Sequence, residues 1–142
     1  GTFYWKDEHE FTAPDQCQAL WIYPEGFLVS YVTNFGNGAG NLKRLYGEYG
    51  TLKFDNWSAP TYSAEGGPKR AQGTIRGEKP VPPVEHPDHF LDWLQCIRNG
   101  GTPNAPIEAG YAHAVAVLMA MKSYETGRKV LYDPATRTMR TV

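Results

Sequence analysis

Apolar residues gather twice near the start of the chain in runs suited to strands, QCQALWIYP over 16–24 and FLVSYVTNF over 27–35. Between them Pro24-Glu25-Gly26 supplies a proline that pre-sets φ and a glycine that accepts a positive one, so the runs are predicted to fold back as a hairpin. A third strand over about 42–47 and a fourth over about 51–55 flank Gly47-Glu48-Tyr49-Gly50, a second glycine-framed turn. The pattern then changes. Residues 56–85 hold five of the eleven prolines and little periodicity, which predicts a long irregular excursion with one short strand near 73–76. In HPDHFLDWLQCIRNGG the spacing turns helical: Pro87 stands near the first helical position, Asp88 in the first turn, and Phe90, Leu91, Leu94 and Ile97 share a face. Asn99-Gly100-Gly101 ends that helix. After PNAP a longer helix is predicted over about 106–126, with Ala112, Val115, Leu118 and Met119 on one face and Val117, Met121 and Tyr124 extending it, closed by Gly127. Its centre, AHAVAVLMAM, is apolar almost all round and predicts a buried helix. A last strand over 129–132 ends at Asp133-Pro134, and the tail to Val142 reads as polar.

Strands, then helices, then a strand define an α+β fold: a mostly antiparallel open sheet with helices packed on one face. The 142 residues suit one domain, 1–142. In the second strand Phe27, Val29, Tyr31 and Phe35 point one way, while Leu28 and Val32 share the other face with Ser30 and Asn34. The first strand does likewise, with Leu20 and Ile22 opposed to Ala19, Trp21 and Tyr23. Two helices cover only one side of such a sheet. The other side exceeds the apolar patch of roughly 300–600 Å² that soluble monomers expose. A second copy of the sheet about a two-fold axis is the simplest cover, with Trp21, Tyr23, Phe27, Val29, Tyr31 and Phe35 as the interface candidates.

Fourteen basic and fifteen acidic residues without blocks of like charge give no nucleic-acid footprint and no anionic-membrane patch. No apolar run is long enough for a membrane span, and the opening Gly1-Thr2-Phe3-Tyr4-Trp5-Lys6 is not a signal peptide. Cys17 and Cys96 stand far apart, with neither metal spacing nor a disulfide framework, and read as reduced and buried. His86 and His89 beside Glu85, Asp88 and Asp92 have one-turn metal spacing, but a helix start with its usual acids explains them without a third ligand. Glu108, Tyr111 and His113 either point into a substrate cleft or anchor the PNAP turn and the helix that follows.

HFLDWLQCIRNGGTPNAPIEAGYAHAVAVLMAMKSYETGRKVLYDP resembles the end of the Gfo/Idh/MocA oxidoreductases, where FLDCIR, PNA-x-IE-x-G, an alanine-rich helix and GRK-x-x-x-DP follow in that order. YWKDEHEFTAPD, YPEGFLVSYVTNFGNGAG and YGEYGTLKFDN are similar to the middle of the same family's second domain, so the resemblance covers nearly the whole chain outside 56–85. It implies the C-terminal, substrate-binding and dimerisation part of an NAD- or NADP-dependent enzyme of sugars, polyols or related compounds. The partners implied are a second copy, an N-terminal Rossmann domain and a sugar-like substrate. No cofactor is expected on this chain: it has no strand-GxGxxG-helix unit, and Gly36, Gly38 and Gly40 follow a strand but precede no helix pattern. The family's Glu-Lys-Pro motif closes its nucleotide-binding half, whereas Glu78-Lys79-Pro80 follows four strands of the second domain and reads as an exposed loop. None of His9, His86, His89 and His113 matches the family's catalytic Asp and His pair by position. Catalytic residues are therefore not expected here, and the chain alone is expected to be inactive. Tyr111 stands where many members carry histidine, and Trp5 and Lys6, nearest in sequence to the helix that carries the family's Asp and His pair, expected before residue 1, join the cleft candidates, with strand packing as the alternative. The competing reading is a stand-alone carbohydrate-binding or assembly module; a hydrolase ranks last for want of paired carboxylates.

Overall fold

The structure, a computed structural model, describes residues 1–3, 12–38, 42–64 and 75–142. It has the α+β character expected, with helices and antiparallel strands in open sheets. Two compact units compose it, Gly1–Asn37 with Pro87–Val142, and Gly38–His86.

In the first unit β1 (Gln16–Ile22) and β2 (Leu28–Asn34) pair antiparallel from Gln16↔Asn34 to Ile22↔Leu28. Both strands are shorter than their apolar runs; beyond their ends the Tyr23 N–H donates to the Phe27 carbonyl and the two rings stack at 4.4 Å. Gly26, at φ 91, closes the three-residue turn and donates its N–H to the Tyr23 carbonyl.

Helix α1 (His89–Asn99) starts where the Asp88 carboxylate accepts the N–H groups of Phe90 and Leu91. The 86–101 expectation narrows by this cap, which leaves Pro87 just outside. Helix α2 (Ile107–Thr126) begins after Pro106 and ends at Gly127, left-handed at φ 65. Between them Asp92 accepts the Asn104 N–H at 2.7 Å and pins the PNAP turn.

The polar tail is corrected to a strand: β7 (Val130–Asp133) pairs with β8 (Thr138–Thr141) in an antiparallel hairpin that packs on α2. Lys122 on α2 donates to the Met139 carbonyl, and Trp21 on β1 donates its indole N–H to the Ala116 carbonyl at 3.1 Å. Among the described apolar side chains only Val130, 8 % exposed, reaches burial. The expectation of a buried α2 is therefore not met in this chain: no α2 residue is buried, Ile107 is 81 % and Leu118 57 % exposed. The α1 stripe of Phe90, Leu91, Leu94 and Ile97 is exposed as well.

The second unit is a four-stranded antiparallel sheet in the order β3 (Arg44–Tyr46), β4 (Gly50–Lys53), β5 (Thr61–Ala64), β6 (Glu78–Pro80). The four consecutive strands of the sequence reading thus fall into two sheets, not one. Residues 56–85 contain two strands rather than an irregular excursion, and Glu78-Lys79-Pro80 is an edge strand rather than a loop. The sequence hides β6 because prolines crowd it. Its ladder bonds run through Val81 N–H to Pro60 and Ala64 N–H to Gly77, so pairs alternate and Pro80 faces Thr61 in a non-hydrogen-bonded pair. The expected strand near 73–76 lies partly outside the described residues.

Register gives this sheet one polar and one apolar face. The Leu45↔Leu52↔Tyr62 row lies on one, and Arg44↔Lys53↔Thr61 on the other. A β-carbon on Gly50 would come within 2.6 Å of the Ser63 carbonyl oxygen and 2.7 Å of Ile75 Cδ1, so backbone and side chain crowd in only because glycine stands there. On the polar face Asp55 accepts the Lys43 backbone N–H and a forked pair from Arg44, and Glu78 accepts from Thr61 and Lys53. The Lys43 N–H and then Arg44 hold the Asp55 carboxyl below its ordinary value, while the Thr61 hydroxyl and then Lys53 do the same for Glu78. A carboxylate depressed in the folded state stabilises the fold above its unfolded pKa and loses that contribution as pH falls through the folded value. The chemical-denaturation midpoint of this unit is accordingly expected to fall from about pH 5 downward, and Asp55→Asn to flatten that decline while lowering the midpoint at pH 7. An unchanged pH profile in the variant refutes the clasp.

Candidate functional site

Two elements bring chemistry together at the start of α2 and the β7–β8 turn. Tyr111, in the second turn of α2, and Tyr132 on β7 share a hydroxyl–hydroxyl hydrogen bond. The Tyr132 hydroxyl is held above its ordinary pKa, first by this bond and then by partial burial. One hydroxyl donates to the other, so the pair keeps one phenol proton to give. Over the Tyr111 ring lies the Arg137 guanidinium, 5.4 Å from the centroid.

The turn sets Arg137 in place. Asp133 pairs with Thr138, leaving a four-residue loop whose last residue, Arg137, is left-handed at φ 54. It is the single non-glycine with positive φ among the described residues, a conformation that costs about 1 kcal/mol. The Asp133 carboxylate turns inward, accepting from Thr136 Oγ1 and the Ala135 N–H, and the Thr136 hydroxyl also meets that of Thr138. The Thr136 hydroxyl first, then the Ala135 N–H, hold Asp133 below its ordinary pKa. The loop carrying Arg137 is thus internally bonded.

Of the cleft candidates, the structure brings Tyr111 into this cluster. Glu108 precedes it by one turn on the same helix face, whereas His113, two residues on, points away from that face; both are exposed. Trp5 and Lys6 lie outside the described residues. The sequence places Tyr132 in the last predicted strand and Arg137 in the polar tail, with nothing in either position to mark a site. The alternation Val130, Tyr132 ahead of Asp133-Pro134 was the available signal of a hairpin.

The interface candidates divide. Register puts Trp21, Val29 and Tyr31 on the β1–β2 face that reaches α2, with Trp21 against Tyr31 edge-on at 6.4 Å. Tyr23 and Phe27 stack beyond the strand ends, and Phe35 sits exposed in the turn after β2. The opposite face carries Leu20, Ile22, Leu28 and Val32, with Leu20 64 % and Ile22 70 % exposed.

Of the metal candidates, Asp88 is spent on capping α1 and Asp92 on Asn104, and no His, Cys, Asp and Glu cluster suited to a metal occurs among the described residues. In the described part of the glycine run the Gly36 N–H donates to the Asn34 side chain in a tight turn, and the next described element is the strand β3. Likewise no described helix is long and apolar enough to cross a membrane. Fold and cluster together define an α+β domain of open antiparallel sheets. No family model, curated protein or solved structure matches the chain.

Proposed function

We propose that this chain is the substrate-binding and assembly part of an NAD(P)-dependent oxidoreductase acting on a sugar, polyol or related compound. The sequence pieces shared in order with the Gfo/Idh/MocA enzymes suggest the reading. The observation that carries it is α2, apolar nearly all round yet without one buried residue. A helix of that composition belongs inside a larger body. The chain's apolar surfaces suit two neighbours, a Rossmann domain and a second copy of itself. The bound nicotinamide would accept or deliver hydride. Residues here do not hold it; on this reading they shape the cleft wall, with Tyr111, Tyr132 and Arg137 as its polar groups.

Two measurements test this. The adjoining reading frame is expected to encode a strand-GxGxxG-helix unit. NADH fluorescence is expected to respond to the protein of the complete frame and to stay flat with residues 1–142 alone. A complete frame without that unit leaves a stand-alone binding or assembly module, and a saturable NADH response from residues 1–142 alone removes the assignment of the cofactor to another domain.

A further inference from the structure

We infer that Tyr111 and Arg137 form a binding site for the carboxylate of a small-molecule ligand. The inference rests on reading the start of α2 as cleft wall.

Three observations converge on it. The Arg137 guanidinium makes no hydrogen bond or ion pair among the described residues and lies over the face of Tyr111. The neighbouring acid, Asp133, already serves its own turn through Ala135 and Thr136. The Tyr111 and Tyr132 hydroxyls share one hydrogen bond, which uses one phenol proton and leaves the other as a second donor beside the guanidinium.

A forked cation and a phenol proton, both unspent and held near one another, match the two oxygens of a carboxylate. Backbone geometry supports a use for Arg137. Asparagine or glycine would occupy the left-handed position at less strain, yet arginine stands there, and strain of this kind concentrates where a side chain must be presented. Stacking on Tyr111 immobilises the guanidinium before any ligand arrives, which lowers the ordering cost of binding. A monoanion fits better than a phosphate dianion. Arg137 is the cation that lies over Tyr111, while Asp133 stands in the same turn and Glu108 one helical turn before Tyr111.

The test is an NMR titration of the purified chain, following Arg137 Nε–H and the ring protons of Tyr111 and Tyr132. D-gluconate is the carboxylate probe, sorbitol its neutral counterpart, and inorganic phosphate the other anion. Saturable shifts with gluconate, little response to sorbitol and a weaker one to phosphate are expected. Arg137→Gln is expected to weaken gluconate binding about tenfold or more, and Tyr111→Phe severalfold. Arg137→Lys, which keeps charge but loses the fork, falls between. Helicity and unfolding midpoint of each variant show whether the turn survives, and the phenol-only change Tyr111→Phe retains the ring under Arg137 if the arginine variants do not fold. Equal shifts with gluconate and sorbitol, or gluconate binding untouched by Arg137→Gln in a folded protein, overturns the inference. Should the protein of the complete frame bind NADH while gluconate leaves Arg137 unmoved, the site assignment falls and the oxidoreductase reading stands. Gluconate binding with no nucleotide domain in the frame gives the converse.

Discussion

Under the proposed self-pairing, sedimentation at micromolar concentration returns a dimer, and Leu20→Glu with Val32→Glu returns a monomer. The two positions sit on neighbouring strands, Val32 opposite Gln18 and Leu20 opposite Ser30, on the β1–β2 face away from Trp21. Leu20 and Val32 are exposed in the single chain, so the carboxylates add no strain to its fold. In a dimer each carboxylate would be taken out of water and set near its symmetry copy. Desolvation and like-charge contact together cost about 3 kcal/mol or more, a shift in Kd of at least ~100-fold. Trp21→Ala must be kept out of this experiment, since its ring faces α2. A wild-type chain that sediments as a monomer across the concentration range refutes the pairing outright. A dimer indifferent to both charges moves the interface to another surface, with α1 the next to be tested.

The second large effect concerns folding. Trp21→Ala is expected to destabilise the first unit by about 2–4 kcal/mol, read as the shift of the denaturant midpoint at constant m-value. Three losses add up at this residue. The indole no longer satisfies the Ala116 carbonyl, the edge contact with Tyr31 disappears, and the side-chain link between β1 and α2 is cut. Trp21→Phe separates them. It keeps most of the packing but not the N–H, and about 1 kcal/mol of the loss should remain. Val130→Ala on β7 provides a control in the same unit but off the β1–α2 contact. If Trp21→Ala leaves the midpoint where it was, β1–β2 and α2 do not fold as one unit.

How far the sequence spoke depended on where its signals were local. The Pro24-Glu25-Gly26 turn and the left-handed Gly127 each act through their immediate neighbours, and the hairpin and both helices lie near their expected limits, with Asp88, expected in the first turn, capping α1 from just outside it. Local signals failed in the proline-rich middle. Pro80 argues against a strand by itself, but its partner Thr61 sits in the pair where no N–H is needed, and only the register reveals that. The split into two sheets was likewise beyond a strand-by-strand reading, since strand order depends on which edges meet. Composition suggested a buried α2 because it reports what a helix prefers to touch, not what this chain places against it. The same distinction applies to the candidate site. Tyr111 stood out as a polar group at a helix start, while Arg137 gained meaning from a backbone angle and a ring 5.4 Å away.

The border of the second sheet has one further effect. Along β6 the groups that face outward belong to Glu78 and Pro80 and, by continuation of the alternation, to Pro82. Two of these three lack an amide hydrogen, so a strand arriving from another molecule finds carbonyls to donate to but almost nothing to accept from. Runaway strand addition, the first step toward a fibril, is starved of donors at this rim. Replacing both prolines with threonine would open it.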